Sequence, residues 1–123
     1  MTNSLNTMCN LITNGTPISE AMKQVYKTRK VTIPFEDGVF DVPVPSLKLS
    51  NRSTNALMRN GLKTLEAAIH CLDKNTWSSI KGLGKESAME VFDKIIDVAW
   101  DNMDLDERTE LLVQIDARNE AIV

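Results

Sequence analysis

Apolar side chains recur every three or four residues along most of these 123 residues, a period that predicts helices. The clearest stripe, Ala88, Val91, Phe92, Ile95 and Ala99, follows Gly82-Leu83-Gly84 and lies on one face of a long helix. Leu62, Leu65, Ile69 and Leu72 mark another helix, with Thr64 as its cap. Ser50 caps a helix running to about Asn60, where Gly61 takes the place of the left-handed residue that stops helices. Between these, 74–80 has room for a short helix carrying Trp77 and Ile80. Upstream, Thr16 as N-cap, Pro17 in the first turn, and Ile18, Met22 and Val25 predict a helix over 16–27. Downstream, Asp104 and Glu107 form a capping-box pattern ahead of Leu111, Leu112 and Ile115. The first fifteen residues are polar, rich in Asn and Thr, and are expected to be partly disordered or frayed.

One stretch breaks the helical period. Residues 31–35 and 39–44 are rich in β-branched and aromatic residues and flank Glu36-Asp37-Gly38, a hairpin signal. Pro34, Pro43 and Pro45 cannot donate to a ladder, so the hairpin is expected to be short and at an edge. The expectation is therefore a mainly α protein: a compact bundle of four or five short helices with a small N-terminal β-hairpin. Three parts are expected: an N-terminal extension over 1–45, a helical module over 46–100, and an acidic helix over 101–123.

Apolar residues make up 42% of the sequence and charged residues 25%, the balance of a globular protein. No apolar run is long enough to span a membrane, and the N-terminus lacks a secretory pattern, so a cytoplasmic location is expected. Cys9 and Cys71 have no metal-ligand spacing and His70 is the sole histidine, so neither a metal nor another cofactor is expected. The formal charge of −3 hides a division. Residues 1–45 are neutral, 46–96 carry +3, and 97–123 carry −6. Distribution, not the total, decides whether a face can meet nucleic acid.

The segment with most chemistry is Lys81-Gly82-Leu83-Gly84-Lys85, which sets a two-glycine turn against a helix N-terminus. The first amides of a helix have no partner within it and lie at the positive end of its dipole, a ready seat for phosphate. Glycine lets a nucleic-acid backbone come close, and Ser87 adds a hydroxyl one turn in. Gly-apolar-Gly turns of this kind also occur in helix-hairpin-helix DNA binders. On the helix before it, Arg52, Asn55 and Arg59 are spaced i, i+3, i+7 and share a face, which suits an arginine entering a narrow minor groove. An ordinary solvated helix face and a ligand-free interhelix turn are the plainer readings of the two features taken singly.

Taken together, Leu47 through Leu57, Gly61-Leu62-Lys63-Thr64-Leu65 and Gly82 through Ser87 resemble, in order and spacing, the C-terminal domain of the bacterial RNA polymerase alpha subunit. The resemblance covers about 55 residues. It implies a bundle of short helices that binds the minor groove of A·T-rich promoter DNA and contacts RNA polymerase, sigma or a transcription activator. Carried over residue by residue, Arg52 matches the arginine placed in the groove and Asn55 the asparagine beside it. Gly84 and Ser87 match the turn residues at the phosphates, and Glu90 an acidic residue one turn later. Arg59, Gly82 and Lys85 complete the expected DNA-binding set. Glu86 stands where the family commonly has a second basic residue, Gly82 replaces a frequent asparagine, and Ala56 a frequent cysteine. Residues 1–45 are too few for the assembly domain of an alpha subunit, so a free-standing relative is expected.

An enzyme is not expected. His70 has no nucleophile arranged with it, and the tail carboxylates Asp101, Asp104, Asp106 and Glu107 fit no EF-hand spacing. The rival to DNA binding is a protein-contact module on the same fold. Glu86 and the acidic tail favour it, with Glu90, Leu111, Leu112 and Ile115 as the candidate contacts. The acidic segment could also compete with DNA for the Arg52 face.

Overall fold

In a computed structural model, residues 3–28, 30–33, 38–72 and 83–122 are described. Among them are six α-helices: α1 (Asn3–Thr13), α2 (Ile18–Val25), α3 (Asn51–Arg59), α4 (Leu65–Leu72), α5 (Lys85–Asp101) and α6 (Leu105–Arg118). A 3₁₀ turn covers Val44–Leu47. The class is mainly α, as the apolar period implies. Two compact units divide the molecule, one made of Met1–Pro34 with Ala99–Val123, the other of Phe35–Val98.

The first unit contains α1, α2 and α6. Residues 3–13, expected to be frayed, form a full helix, which Met8 anchors by burying completely. Asn and Thr are poor helix formers, but tertiary packing outweighs propensity here. The helix ends on a Schellman motif: Gly15 has φ +95°, its amide donates to Ile12 O at 3.0 Å, and the Thr16 amide donates to Leu11 O at 3.0 Å. α2 starts one residue later than expected, with Pro17 rather than Thr16 at the cap position. Ile18, Met22 and Val25 are buried together with Leu111 and Ile115 of α6. The capping box of α6 is closed, the Glu107 amide donating to Asp104 Oδ1 at 2.8 Å and the Asp104 amide to Glu107 Oε1 at 3.2 Å. Asp116 on the same helix accepts from the hydroxyls of Ser4 (2.6 Å) and Tyr26 (2.8 Å). Burial first, and then that carboxylate, push the Tyr26 phenol far above its ordinary range. α6 is therefore a core element of its unit.

The second unit contains α3, α4 and most of α5. Phe40, Val44, Leu47, Leu57, Leu65 and Ile96 are buried in it. Gly61, at φ +77°, ends α3 in another Schellman motif, with its amide on Met58 O at 3.0 Å and the Leu62 amide on Leu57 O at 2.9 Å. Thr64 caps α4 by accepting from the Ala67 amide at 3.2 Å. Along α5, Val91, Ile95, Ile96 and Ala99 are buried while Ala88 and Phe92 are half-buried, so the buried stripe is turned slightly from the expected one.

Among the described residues of 31–44 the expected hairpin is not found. The described residues contain no strand, only isolated bridges between Tyr26 and Ala121 and between Pro43 and Thr64. The backbone groups of the two arms are taken elsewhere. Thr32 bonds to Gln114 of α6, while Phe40 O, Val42 O and the Val44 amide bond to Glu66, Leu65 and Lys63 around the start of α4. With Pro43 unable to donate, bonding to a neighbouring helix start satisfies these groups better than a truncated ladder. Glu36 and Asp37, and the short helix expected over 74–80, lie outside the described residues.

Candidate nucleic-acid interface

The second unit supplies the site. On α3 the outward face holds Arg52, Asn55 and Arg59, all exposed, and the inward face holds Ser53, Ala56 and Leu57, all buried. The helical period thus separates three polar heads from the core without any cost in buried charge. Ser50 caps the helix by accepting from the Ser53 amide at 3.2 Å.

On α5 the Gly84 carbonyl accepts from the Ala88 amide at 2.9 Å, so the helix begins directly after the glycine. The amides of Lys85, Glu86 and Ser87 are then those without a partner inside the helix. Gly84, Lys85 and Glu86 are exposed. Ser87 differs: it is buried, so of the residues predicted for this turn it is the one the fold covers. A Cβ built on Gly84 meets nothing within 4 Å, and the residue has no positive φ to require glycine. Gly82 lies outside the described residues.

Glu90 brings α3 and α5 together. Its carboxylate accepts from the Ser50 amide (3.2 Å to each oxygen) and from the Ser50 hydroxyl (2.9 Å). Burial alone would raise its pKa. The hydroxyls of Ser53 and Ser50, the Ser50 amide and the charge of Lys94 outweigh that and hold it below the ordinary value. Glu90, a candidate protein contact by sequence, is thereby engaged as a second cap on α3, with Arg52 two residues beyond Ser50. Sequence spacing held no sign of this role, since Ser50 and Glu90 are 40 residues apart.

Leu111 and Ile115 are buried in the other unit, and Leu112 is half-buried. The exposed large apolar residues of α6 are instead Leu105 and Val113. Among the described residues no group of three or more His, Cys, Asp or Glu is placed to hold a metal.

The sequence profile of one family, the C-terminal domain of the bacterial RNA polymerase alpha subunit, matches residues 34–97. The protein belongs to that family. The matched stretch is more than half of the sequence and coincides, within a residue at each end, with the second compact unit. Comparisons with curated proteins and with solved structures gave no match. Alpha C-terminal domains are non-catalytic DNA-binding parts of the transcription machinery, and their module stands here between two flanks that fold with each other. Among the described residues no helix is long and apolar enough to cross a membrane.

Proposed function

We propose that the protein is a non-catalytic transcription module that binds the minor groove of A·T-rich duplex DNA, with RNA polymerase, sigma or an activator as its protein partner. The observation that carries this reading is the exposed Arg52, Asn55 and Arg59 face, on a helix whose capping Ser50 is bonded to Glu90 in the second turn of α5. Arg52 enters the groove, where narrow A·T tracts concentrate negative potential, and Asn55 bonds to sugar or base edges. Arg59, Lys85 and the exposed first amides of α5, those of Lys85 and Glu86, take phosphates, while the covered Ser87 supports the turn from within. Gly84 supports the same reading: the fold has open space where its side chain would be, as a site for close backbone approach requires. Gly82 belongs to the same turn by sequence.

The test is fluorescence anisotropy of A·T-rich and G·C-rich duplexes, titrated with wild type and Arg52→Ala at low and moderate salt. The A·T duplex is expected to bind more tightly, to weaken with salt, and to lose about 1–3 kcal/mol of binding on Arg52→Ala. No binding by wild type at low salt would sink the proposal. Glu86, exposed in the first turn of α5, favours the second reading, in which the module makes protein contacts with little DNA affinity.

A further inference from the structure

Residues 30–33, which precede the family module in sequence, are fastened to α6, and side-chain amides do the fastening. The Thr32 amide donates to Gln114 Oε1 at 2.7 Å, and Gln114 Nε2 donates back to Thr32 O at 3.0 Å. Asn119, at the end of α6, repeats the arrangement two strap residues earlier. The Lys30 amide donates to its Oδ1 at 2.7 Å and its Nδ2 donates to Lys30 O at 2.8 Å. Each amide thus pairs with both main-chain groups of one residue, as a neighbouring strand would.

The two fastenings differ in kind. Asn119 is buried, and all four positions of its amide are used, because Oδ1 also accepts from the Thr28 hydroxyl (2.8 Å) and Nδ2 also donates to Ile115 O (2.8 Å). The Gln114 bonds are exposed to solvent, as are those from Arg118 Nη1 to Thr32 Oγ1 (2.6 Å) and to Gln114 Oε1 (3.2 Å). In the strap only Ile33 is buried, while Lys30 and Thr32 are exposed. A segment held mainly by solvent-facing hydrogen bonds and one apolar anchor opens more easily than a helix core.

We propose that residues 30–33 form a releasable strap, clasped by Gln114 and Asn119, whose opening frees the lead-in to the family module while α1, α2 and α6 stay folded. The strap lies ahead of the matched residues, so this stands apart from the DNA-binding reading. The Gln114 clasp opens first and the Asn119 clasp second.

Hydrogen exchange of the full-length protein, followed by NMR amide by amide, tests it. The Thr32 amide is expected to exchange through local opening, insensitive to low denaturant and at least tenfold faster than the Ala21 and Leu65 amides, which bond to Pro17 O and Val42 O. Gln114→Ala speeds Thr32 about tenfold and Lys30 less, with Ala21 and Leu65 unchanged. Gln114→Glu, which keeps the acceptor and loses the donor, gives an intermediate rate and guards against a folding defect in the alanine variant. Exchange of Thr32 together with the core, or a Thr32 rate unmoved by Gln114→Ala, overturns the proposal.

Discussion

Glu90 on α5 caps α3 from outside, its carboxylate accepting from both the amide and the hydroxyl of Ser50. Ser50 is at once the cap of its own helix and the handle by which another helix holds it. A carboxylate at a helix N-terminus satisfies unpaired amides and sits favourably in the helix dipole. Glu90→Gln is expected to cost about 1 kcal/mol of stability at neutral pH, the usual worth of a cap. The native pKa lies below the ordinary 4.5, so the contribution is full above that value and is lost as pH falls through the native one. Urea denaturation of wild type and Glu90→Gln should differ at pH 7 and converge in strong acid. A gap that persists unchanged in acid would show that charge is not what the cap supplies.

Glu86 sets a second prediction. It is exposed in the first turn of α5, next to Lys85, and its charge opposes phosphate while favouring the helix itself. Glu86→Lys should therefore raise duplex affinity about tenfold at low salt and steepen the salt dependence by about one phosphate contact. The same change should cost about 0.3–1 kcal/mol of stability through the dipole. Anisotropy at two salt concentrations and a thermal melt measure the two effects separately. A melt that drops with no gain in binding would mean that this turn does not face DNA.

How far these features were legible in the sequence depends on the range of the interaction. Gly61, Thr64 and the Asp104 with Glu107 pair act within a turn of their own positions, and each is where its residue type implied. The exposed Arg52, Asn55 and Arg59 face follows from period alone, and the family follows from short motifs in fixed order. α1 was hidden because Asn and Thr dilute a stripe that only Met8 buries deeply. The hairpin signal over 31–44 was misleading because its two arms found helices, through Gln114 and the start of α4, that no local pattern reveals. Ser87 shows the limit within a motif: its spacing matched, yet burial is set by neighbours distant in sequence.

The acidic C-terminal helix yields a prediction opposite in kind to that of a detachable tail. Ile115 is fully buried and Leu111 nearly so, in the unit that α6 shares with α1 and α2. Ile115→Ala should cost about 2–5 kcal/mol, whereas Asp104→Ala, which opens the capping box, should cost about 1 kcal/mol. Chemical denaturation gives both values. Removal of residues 104–123 should expose Met8 and Met22 and lower helicity by more than the deleted residues account for. A circular dichroism loss equal to α6 alone would mean that α1 and α2 stand without it.

Gly84 separates fold from function most cleanly. Its Cβ position is open and its φ is not positive, so alanine can be accommodated without strain. Gly84→Ala should then change stability by less than about 1 kcal/mol, the scale of a cap substitution. If a phosphate seats on the first amides of α5, the added methyl lies in its approach and the affinity should fall about tenfold. A thermal melt and an A·T-duplex titration of the same preparation provide both numbers. Unchanged affinity alongside unchanged stability would place phosphate elsewhere on the module and leave Arg52, Asn55 and Arg59 to carry the contact from α3.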